Sequence, residues 1–198
     1  MRKMKFCGLM LGAMLAMTAL PARAQQDLRA DGDWTHAATG MVFPERLGNA
    51  LRTRIHLFDA EGLDVSAGYA LRRGGDLGLV TLYVYPAPPG RDCADNFAEI
   101  ERNVETSYTD VKRVESDRWP SPTGRLPATG FHARFTLSGT LEGKDQPLTS
   151  ESYLFCPAGG QWLVAARASW ARDSDLHQSF VEFLKALPWP ARLDTPAE

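Results

Sequence analysis

Residues 79–85 read Leu-Val-Thr-Leu-Tyr-Val-Tyr, and the alternation within this stretch decides the class of fold. In an extended strand, successive side chains point to opposite faces of the sheet. The aliphatic residues at positions 80, 82 and 84 therefore share one face, and Thr81, Tyr83 and Tyr85 share the other. The stretch predicts a β-strand, and the preceding Gly74-Gly75-Asp76 predicts the turn of a hairpin.

Two further alternating runs lie before this strand. Positions 65, 67, 69 and 71 hold Val, Ala, Tyr and Leu, and residues 51–58 alternate in the same way. Together with residues 79–85, these runs predict a three-strand antiparallel meander. The meander ends at the proline-rich loop 86–90.

A helix and a second group of strands follow the meander. Asp92 can cap a helix over residues 93–111, because apolar residues recur there at the helical period. Alternation then predicts strands over residues 112–118, 129–138, 148–156 and 161–170. A closing helix is predicted from a cap at Ser174 to residue 187, and Pro188 stops it.

This order of elements predicts an α+β fold, in which a single antiparallel sheet of about six to seven strands packs with two main helices. One domain covers residues 34–187. A polar leader over residues 25–33 precedes it, and a flexible tail over residues 188–198 follows it.

The first 24 residues have the three parts of a secretory signal peptide. They are a basic start, an apolar run over residues 6–20, and a small-x-small site at Ala22-Arg23-Ala24. We expect cleavage near Ala24-Gln25 and a periplasmic or secreted protein. A permanent anchor is the alternative, but it needs about 20 apolar residues. A lipoprotein signal is not indicated, because Cys7 lies at the start of the apolar run.

The charge of the mature chain excludes two classes of partner. Once the signal peptide is removed, 18 basic and 24 acidic residues remain, so the formal net charge is −6. Nucleic-acid binding depends on clustered Lys and Arg, and the mature chain has no such excess. A basic amphipathic stretch for an anionic membrane surface is also missing from the sequence, so no stable membrane insertion is predicted after cleavage.

Two cysteines, Cys93 and Cys156, remain in the mature chain. A pair of cysteines in an oxidising compartment is typical of a structural disulfide. The alternative is a thiol-redox protein with a reactive Cys93, because a helix start lowers the pKa of a thiol. The sequence contains no Cys-x-x-Cys motif and no histidine beside either cysteine, so the disulfide is the favoured interpretation.

No catalytic motif is complete in this sequence. The closest match to the Gly-x-Ser-x-Gly turn of hydrolases is residues 64–68, where Asp64 replaces the first glycine and Ser66 lies within a predicted strand. The sequence has no His-Glu-x-x-His motif and no phosphate-binding loop. We therefore predict no catalytic residue, no metal site and no cofactor, and an enzyme is not favoured.

Two sets of side chains are candidates for binding. His56 and His132 lie on the polar faces of predicted strands beside Arg54 and Arg134. If the two strands were adjacent, these four residues could form a site for a small anion or carboxylate; the alternative is a solvated face. Tyr83 and Tyr85 form the second set, which is either buried core or an apolar patch for a partner.

Three short phrases carry a resemblance to a known group of folds. They are Met41-Val42-Phe43-Pro44, residues 64–69 and residues 80–86. With the order of elements, they resemble the Mog/PsbP-like α/β/α sandwich group, and more closely uncharacterised exported bacterial proteins of that shape. The resemblance implies an accessory or protein-binding role. Together with the missing catalytic motif, we expect an exported soluble protein that is a non-enzymatic accessory or protein- or ligand-binding domain. The alternative is an enzyme or small-anion-binding protein that uses the face of His56 and His132.

Overall fold

The computed structural model describes residues 25–126, 129–157 and 159–194. The predicted signal peptide lies outside the described residues, as do residues 195–198 of the predicted tail. Eleven strands and three helices form within the described part. They are β1 (Gln26–Leu28), β2 (Trp34–Thr35), β3 (Val42–Phe43), β4 (Arg46–Leu47), β5 (Ala50–Leu57), β6 (Val65–Arg73), β7 (Asp76–Pro86), α1 (Cys93–Ser107), β8 (Thr109–Trp119), β9 (Gly130–Leu141), β10 (Lys144–Phe155), β11 (Trp162–Ala171), α2 (His177–Ala186) and α3 (Ala191–Asp194).

One antiparallel sheet dominates the fold. Its strands follow the order β1-β5-β6-β7-β11-β10-β9-β8, and β4 pairs with β5 as a ninth strand. The α+β class and the antiparallel sheet are confirmed, but the sheet has more strands than the six to seven predicted. The additional strands β1 and β4 have three and two residues, which is too short for side-chain alternation to be recognised.

The sheet separates two hydrophobic cores. Odd-numbered residues of β10, such as Tyr153 and Phe155, face α2 and pack with Phe180. Even-numbered residues such as Leu154 face α1 and pack with Phe97. Each central strand therefore carries apolar side chains on both faces, as expected for a sheet that has helices on both sides. No helix in the described part of the chain is long and apolar enough to cross a bilayer.

Several segment boundaries differ from the sequence prediction; α2, for example, begins at His177 and has no side-chain cap, although a cap at Ser174 was predicted. α1 ends at Ser107 rather than near residue 111, because Asp110 adopts a left-handed φ of 54° and the chain enters β8 through a bulge. At the other end, Trp189 and Leu193 belong to the α2-side core, although the sequence predicted a loose tail there. Their side chains extend the apolar stripe of α2 beyond the prolines that stop the helix.

α1 covers only part of its face of the sheet. It packs chiefly on β8, β9 and β10. Its first residue, Cys93, forms a disulfide with Cys156, which follows β10, and the two Cα atoms are 6.0 Å apart. The α1-side faces of β11, β7, β6 and β5 therefore lie beside the helix, and a groove forms along that boundary.

Candidate ligand-binding groove

A cavity of about 350 Å³ lies between α1 and the sheet. Ile100, Asn103 and Val104 of α1 form one wall. The floor comes from β7, β10 and β11, and Phe58 and Asp64 line the end nearest β6. This volume falls in the range of about 300 to 1,000 Å³ that is typical of small-molecule sites.

Tyr83 and Tyr85 form the aromatic part of the groove. The alternation of β7 directs both side chains to the α1 side of the sheet, and both are half-buried. Burial, with smaller contributions from Asp64 and Tyr83, raises the pKa of Tyr85 to about 12. Its hydroxyl group therefore stays protonated at neutral pH. The sequence allowed either a buried core or an exposed apolar patch for these two tyrosines. Their actual environment is intermediate, because they are half-buried and line a groove.

Arg167 of β11 supplies the positive charge of the groove. Its Nε donates a hydrogen bond to Ser150 Oγ at 3.1 Å. The guanidinium carbon lies 4.5 Å from the centre of the Tyr108 ring, which is cation–π distance. Its Nη2 atom is buried and has no hydrogen-bond partner within the described part of the chain.

Ser152 lies beside Arg167, because the two residues are register partners on β10 and β11. The serine is 1% exposed, and its Oγ also lacks a hydrogen-bond partner among the described residues. Buried polar groups in proteins almost always have such a partner. Two neighbouring buried polar groups without one therefore distinguish this end of the groove.

Asp64 lies at the other end of the groove. It precedes Val65, which pairs with Val84, so Asp64 is level with Tyr85 along the sheet. Arg167 pairs with Thr81, which precedes Tyr85 by four residues in β7. Burial and the nearby Asp59 raise the pKa of the Asp64 carboxyl group. The groove is therefore polar at both ends and apolar between them.

A second polar cluster lies on the opposite, α2-facing side of the sheet and surrounds Glu151. This carboxylate is fully buried. It accepts hydrogen bonds from Arg134 Nε at 2.7 Å and Tyr153 Oη at 3.0 Å, and His177 Nδ1 lies 2.9 Å from its Oε1. His132 Nε2 lies 3.7 Å from Glu151 Oε2, which is ion-pair distance but too long for a hydrogen bond.

The partners of Glu151 determine its ionisation. Burial alone would raise the pKa of the carboxyl group, but the imidazoles of His132 and His177 and the guanidinium of Arg134 outweigh burial and lower the pKa to about 2. Burial raises the pKa of Tyr153, so this residue remains a hydrogen-bond donor. Arg134, Tyr153 and His177 lie within hydrogen-bond distance of the Glu151 carboxylate, whereas His132 Nε2 has no hydrogen-bond partner among the described residues. We interpret the cluster as a structural tie between α2 and the sheet.

The cluster also contains a group of potential metal ligands. One ligand atom each from Glu115, Asp117 and His132 lie within 4.8 Å of one another. These atoms already have partners, because His132 Nδ1 lies 3.1 Å from Asp117 Oδ1 and Arg134 Nη1 lies 3.4 Å from Glu115 Oε2. A guanidinium so close to the carboxylates opposes cation binding, so this group fits the ionic network better than a metal centre.

The four polar candidates from the sequence do not meet in the structure. His56 and Arg54 lie on β5, and His132 and Arg134 lie on β9. Four strands separate β5 from β9, which corresponds to about 24 Å. The pairing of His56 with Ser66, and of Ser66 with Tyr83, places His56 on the α1 side, whereas His132 faces α2. A shared anion site required β5 and β9 to be neighbours, and within the described sheet they are not.

Sequence reasoning missed both Arg167 and Glu151. Each interrupts a strand face that is otherwise apolar or small: Arg167 follows Leu163 and Ala165, and Glu151 precedes Tyr153 and Phe155. A charged residue in such a position needs a specific partner. That signal is present in the sequence, although the identity of the partner is not.

The fold and the groove define an α+β sandwich domain in which one helix covers half of a sheet face. No protein-family model and no curated protein matches the sequence. Among solved structures, it is similar to a Pseudomonas aeruginosa protein of unknown function, PA94, at 14% identity and a TM-score of 0.46, over 74% of this chain and 96% of that one.

The chain is also similar to the Ran-binding protein Mog1p of Saccharomyces cerevisiae. The identity is 11% and the TM-score is 0.37, and the match covers 87% of this chain and 88% of that one. Neither likeness says which residues of this chain bind a partner.

Proposed function

We propose that this protein is a non-enzymatic binding domain that holds a small, largely apolar ligand in the groove beside α1. The observation that carries the proposal is a cavity of about 350 Å³ with aromatic and aliphatic walls and few polar groups. Small-molecule sites have this composition, because apolar walls supply affinity and a few polar groups orient the ligand. The predicted signal peptide and the disulfide support binding in the periplasm or outside the cell.

Blocking the groove tests this proposal. Asn103 lies on the exposed wall of α1 and lines the cavity. We expect Asn103→Trp to fill the cavity without disturbing either core, and to weaken binding of the neutral dye phenylnaphthylamine by at least about tenfold. Dye emission, titrated against purified mature protein, measures the dissociation constant.

The control for this experiment is Glu105→Trp, which adds the same side chain to an exposed position of α1 that does not line the groove. We expect this variant to bind the dye as the wild type does. Equal affinity of Asn103→Trp and the wild type, or no saturable binding by the wild type, would contradict the proposal.

An apolar row on the open half of the sheet supports a second candidate function, the binding of a partner protein. Leu51, Ala70 and Leu79 are register neighbours across β5, β6 and β7. Leu51 and Leu79 are 41% and 44% exposed. Exposed apolar side chains in a contiguous row are typical of protein-binding surfaces. The variant Leu79→Asp tests this second function. If the wild type captures a partner from periplasmic extract, and the variant loses that partner but still binds the dye, the second function is favoured.

A further inference from the structure

We infer that the ligand of the groove is a monoanionic acid, whose carboxylate binds Arg167 and Ser152 and whose apolar body lies along Tyr83 and Tyr85. This inference rests on the proposed function, because it names the chemical class of the ligand for the same groove. It concerns neither the Glu151 cluster nor the open apolar row.

The Arg167 guanidinium is held in a fixed position. Ser150 Oγ accepts from Arg167 Nε at 3.1 Å and from Ser169 Oγ at 2.9 Å, and it donates to the carbonyl of Ala168 at 3.3 Å. The ring of Tyr108 packs against the guanidinium. Arg167 is thus held by a side-chain network before any ligand arrives, and such preorganisation lowers the entropic cost of binding.

The charge of Arg167 is not balanced by a carboxylate. Two other partly buried arginines have acceptors within the chain: Arg134 contacts Glu151 and Glu115, and Arg52 donates to backbone carbonyl groups. Arg167 has no ion pair with a carboxylate in the described part of the chain. A partly buried cation without a counter-charge is costly, so the residue is explained best by an anion that the chain itself does not supply.

The available polar atoms of the groove match a carboxylate. A carboxylate has two oxygens that can accept at once from Arg167 Nη2 and from the hydroxyl group of Ser152, two groups lining the groove whose buried atoms lack partners among the described residues. A phosphate dianion fits less well, because a single guanidinium lines the groove and Asp64 adds negative charge at its other end.

Asp64 also sets the orientation of the ligand. Because Asp64 is level with Tyr85 and Arg167 is level with Thr81, an anionic head is attracted to the Arg167 end and repelled from the Asp64 end. The apolar body then lies between them, over the side chains of Tyr83 and Ile100.

A matched pair of probes tests the charge requirement. Naphthylacetate and naphthylacetamide have nearly the same shape, but only the first is an anion at neutral pH. We expect the wild-type protein to bind naphthylacetate about 10 to 100 times more tightly, since hydrogen bonds to charged groups have this strength. Isothermal titration calorimetry of both probes measures the ratio.

Two variants assign the effect to residues. Arg167→Gln should reduce the affinity for naphthylacetate to that for the amide, and it should leave binding of the amide and of phenylnaphthylamine nearly unchanged. Ser152→Ala should weaken binding of the acid by about two- to tenfold. Arg113→Gln is the matched control, because Arg113 is exposed and is paired with Glu101 outside the groove.

The outcomes separate this inference from the proposed function. Equal binding of acid and amide by the wild type, or full acid binding by Arg167→Gln, would overturn the inference while phenylnaphthylamine binding still supports the groove. Failure of all three probes to bind would overturn both. If Arg167→Gln does not fold, as judged by circular dichroism, the acid-to-amide ratio of the wild type and the effect of Ser152→Ala decide the question.

Discussion

Replacing Glu151 with glutamine is expected to lower the free energy of unfolding by about 3 to 5 kcal/mol. The substitution keeps the shape of the side chain but removes a buried negative charge. Arg134 would then lose the carboxylate that lies 2.7 Å from its Nε, and His177 would lose the carboxylate that lies 2.9 Å from its Nδ1. Urea unfolding at neutral pH, followed by tryptophan fluorescence, measures the change.

The loss of stability in Glu151→Gln, relative to the wild type, should depend on pH. The pKa of Glu151 is lowered in the folded protein from 4.5 to about 2, a difference that corresponds to about 3 kcal/mol. Because the folded-state pKa lies below the unfolded one, the ionised carboxylate stabilises the fold above about pH 4.5, and this stabilisation is lost as the pH falls towards 2. The stability difference between the wild type and Glu151→Gln should therefore shrink over that interval.

A matched control is available on the surface of α1. Glu105→Gln makes the same chemical change at an exposed position, and its effect should stay within about 0.5 kcal/mol. If Glu151→Gln were as stable as this control at neutral pH, the Glu151 cluster would not tie α2 to the sheet. A difference between wild type and variant that stayed constant down to pH 2 would contradict the lowered pKa.

Removal of the disulfide should have an effect of similar size. Cys93 and Cys156 are 63 residues apart in the sequence. On the chain-entropy model, closing such a loop stabilises the folded protein by about 4 kcal/mol. We expect Cys93→Ser with Cys156→Ser to unfold at a correspondingly lower urea concentration than the oxidised wild type.

Reducing agent supplies the internal control for this second prediction. It should destabilise the wild type to nearly the level of the double variant, and it should leave the double variant unchanged. Thiol labelling of the native wild type should occur only after reduction. Labelling of Cys93 in the untreated native protein would instead support the redox interpretation that the sequence left open.

The alternating strands were predictable because their signal is local. Residues 79–85 alternate as a strand must, and β7 forms there with Tyr83 and Tyr85 on one face. The same local reasoning found the two longer helices. It could not find β1 or β4, whose pairing with β5 depends on contacts between segments and not on their own residues.

The candidate site was predicted only in part, for the same reason. Tyr83 and Tyr85 were recognised from alternation within one strand, and they line the groove. The predicted site around His56 and His132 required their two strands to be adjacent in the sheet. The alternation of side chains within a strand does not indicate which other strand it pairs with. Arg167 was missed because its importance depends on Ser152, which only the pairing of β10 with β11 brings beside it.

The bond between Cys93 and Cys156 closes a covalent ring that contains α1, β8, β9 and β10. A single backbone cut by a protease anywhere within that ring leaves two pieces that remain attached to each other. The pieces would separate on a denaturing gel only after reduction. α1 and the β10 floor beneath it would thus stay linked after a cut that would release a fragment from a chain without the disulfide.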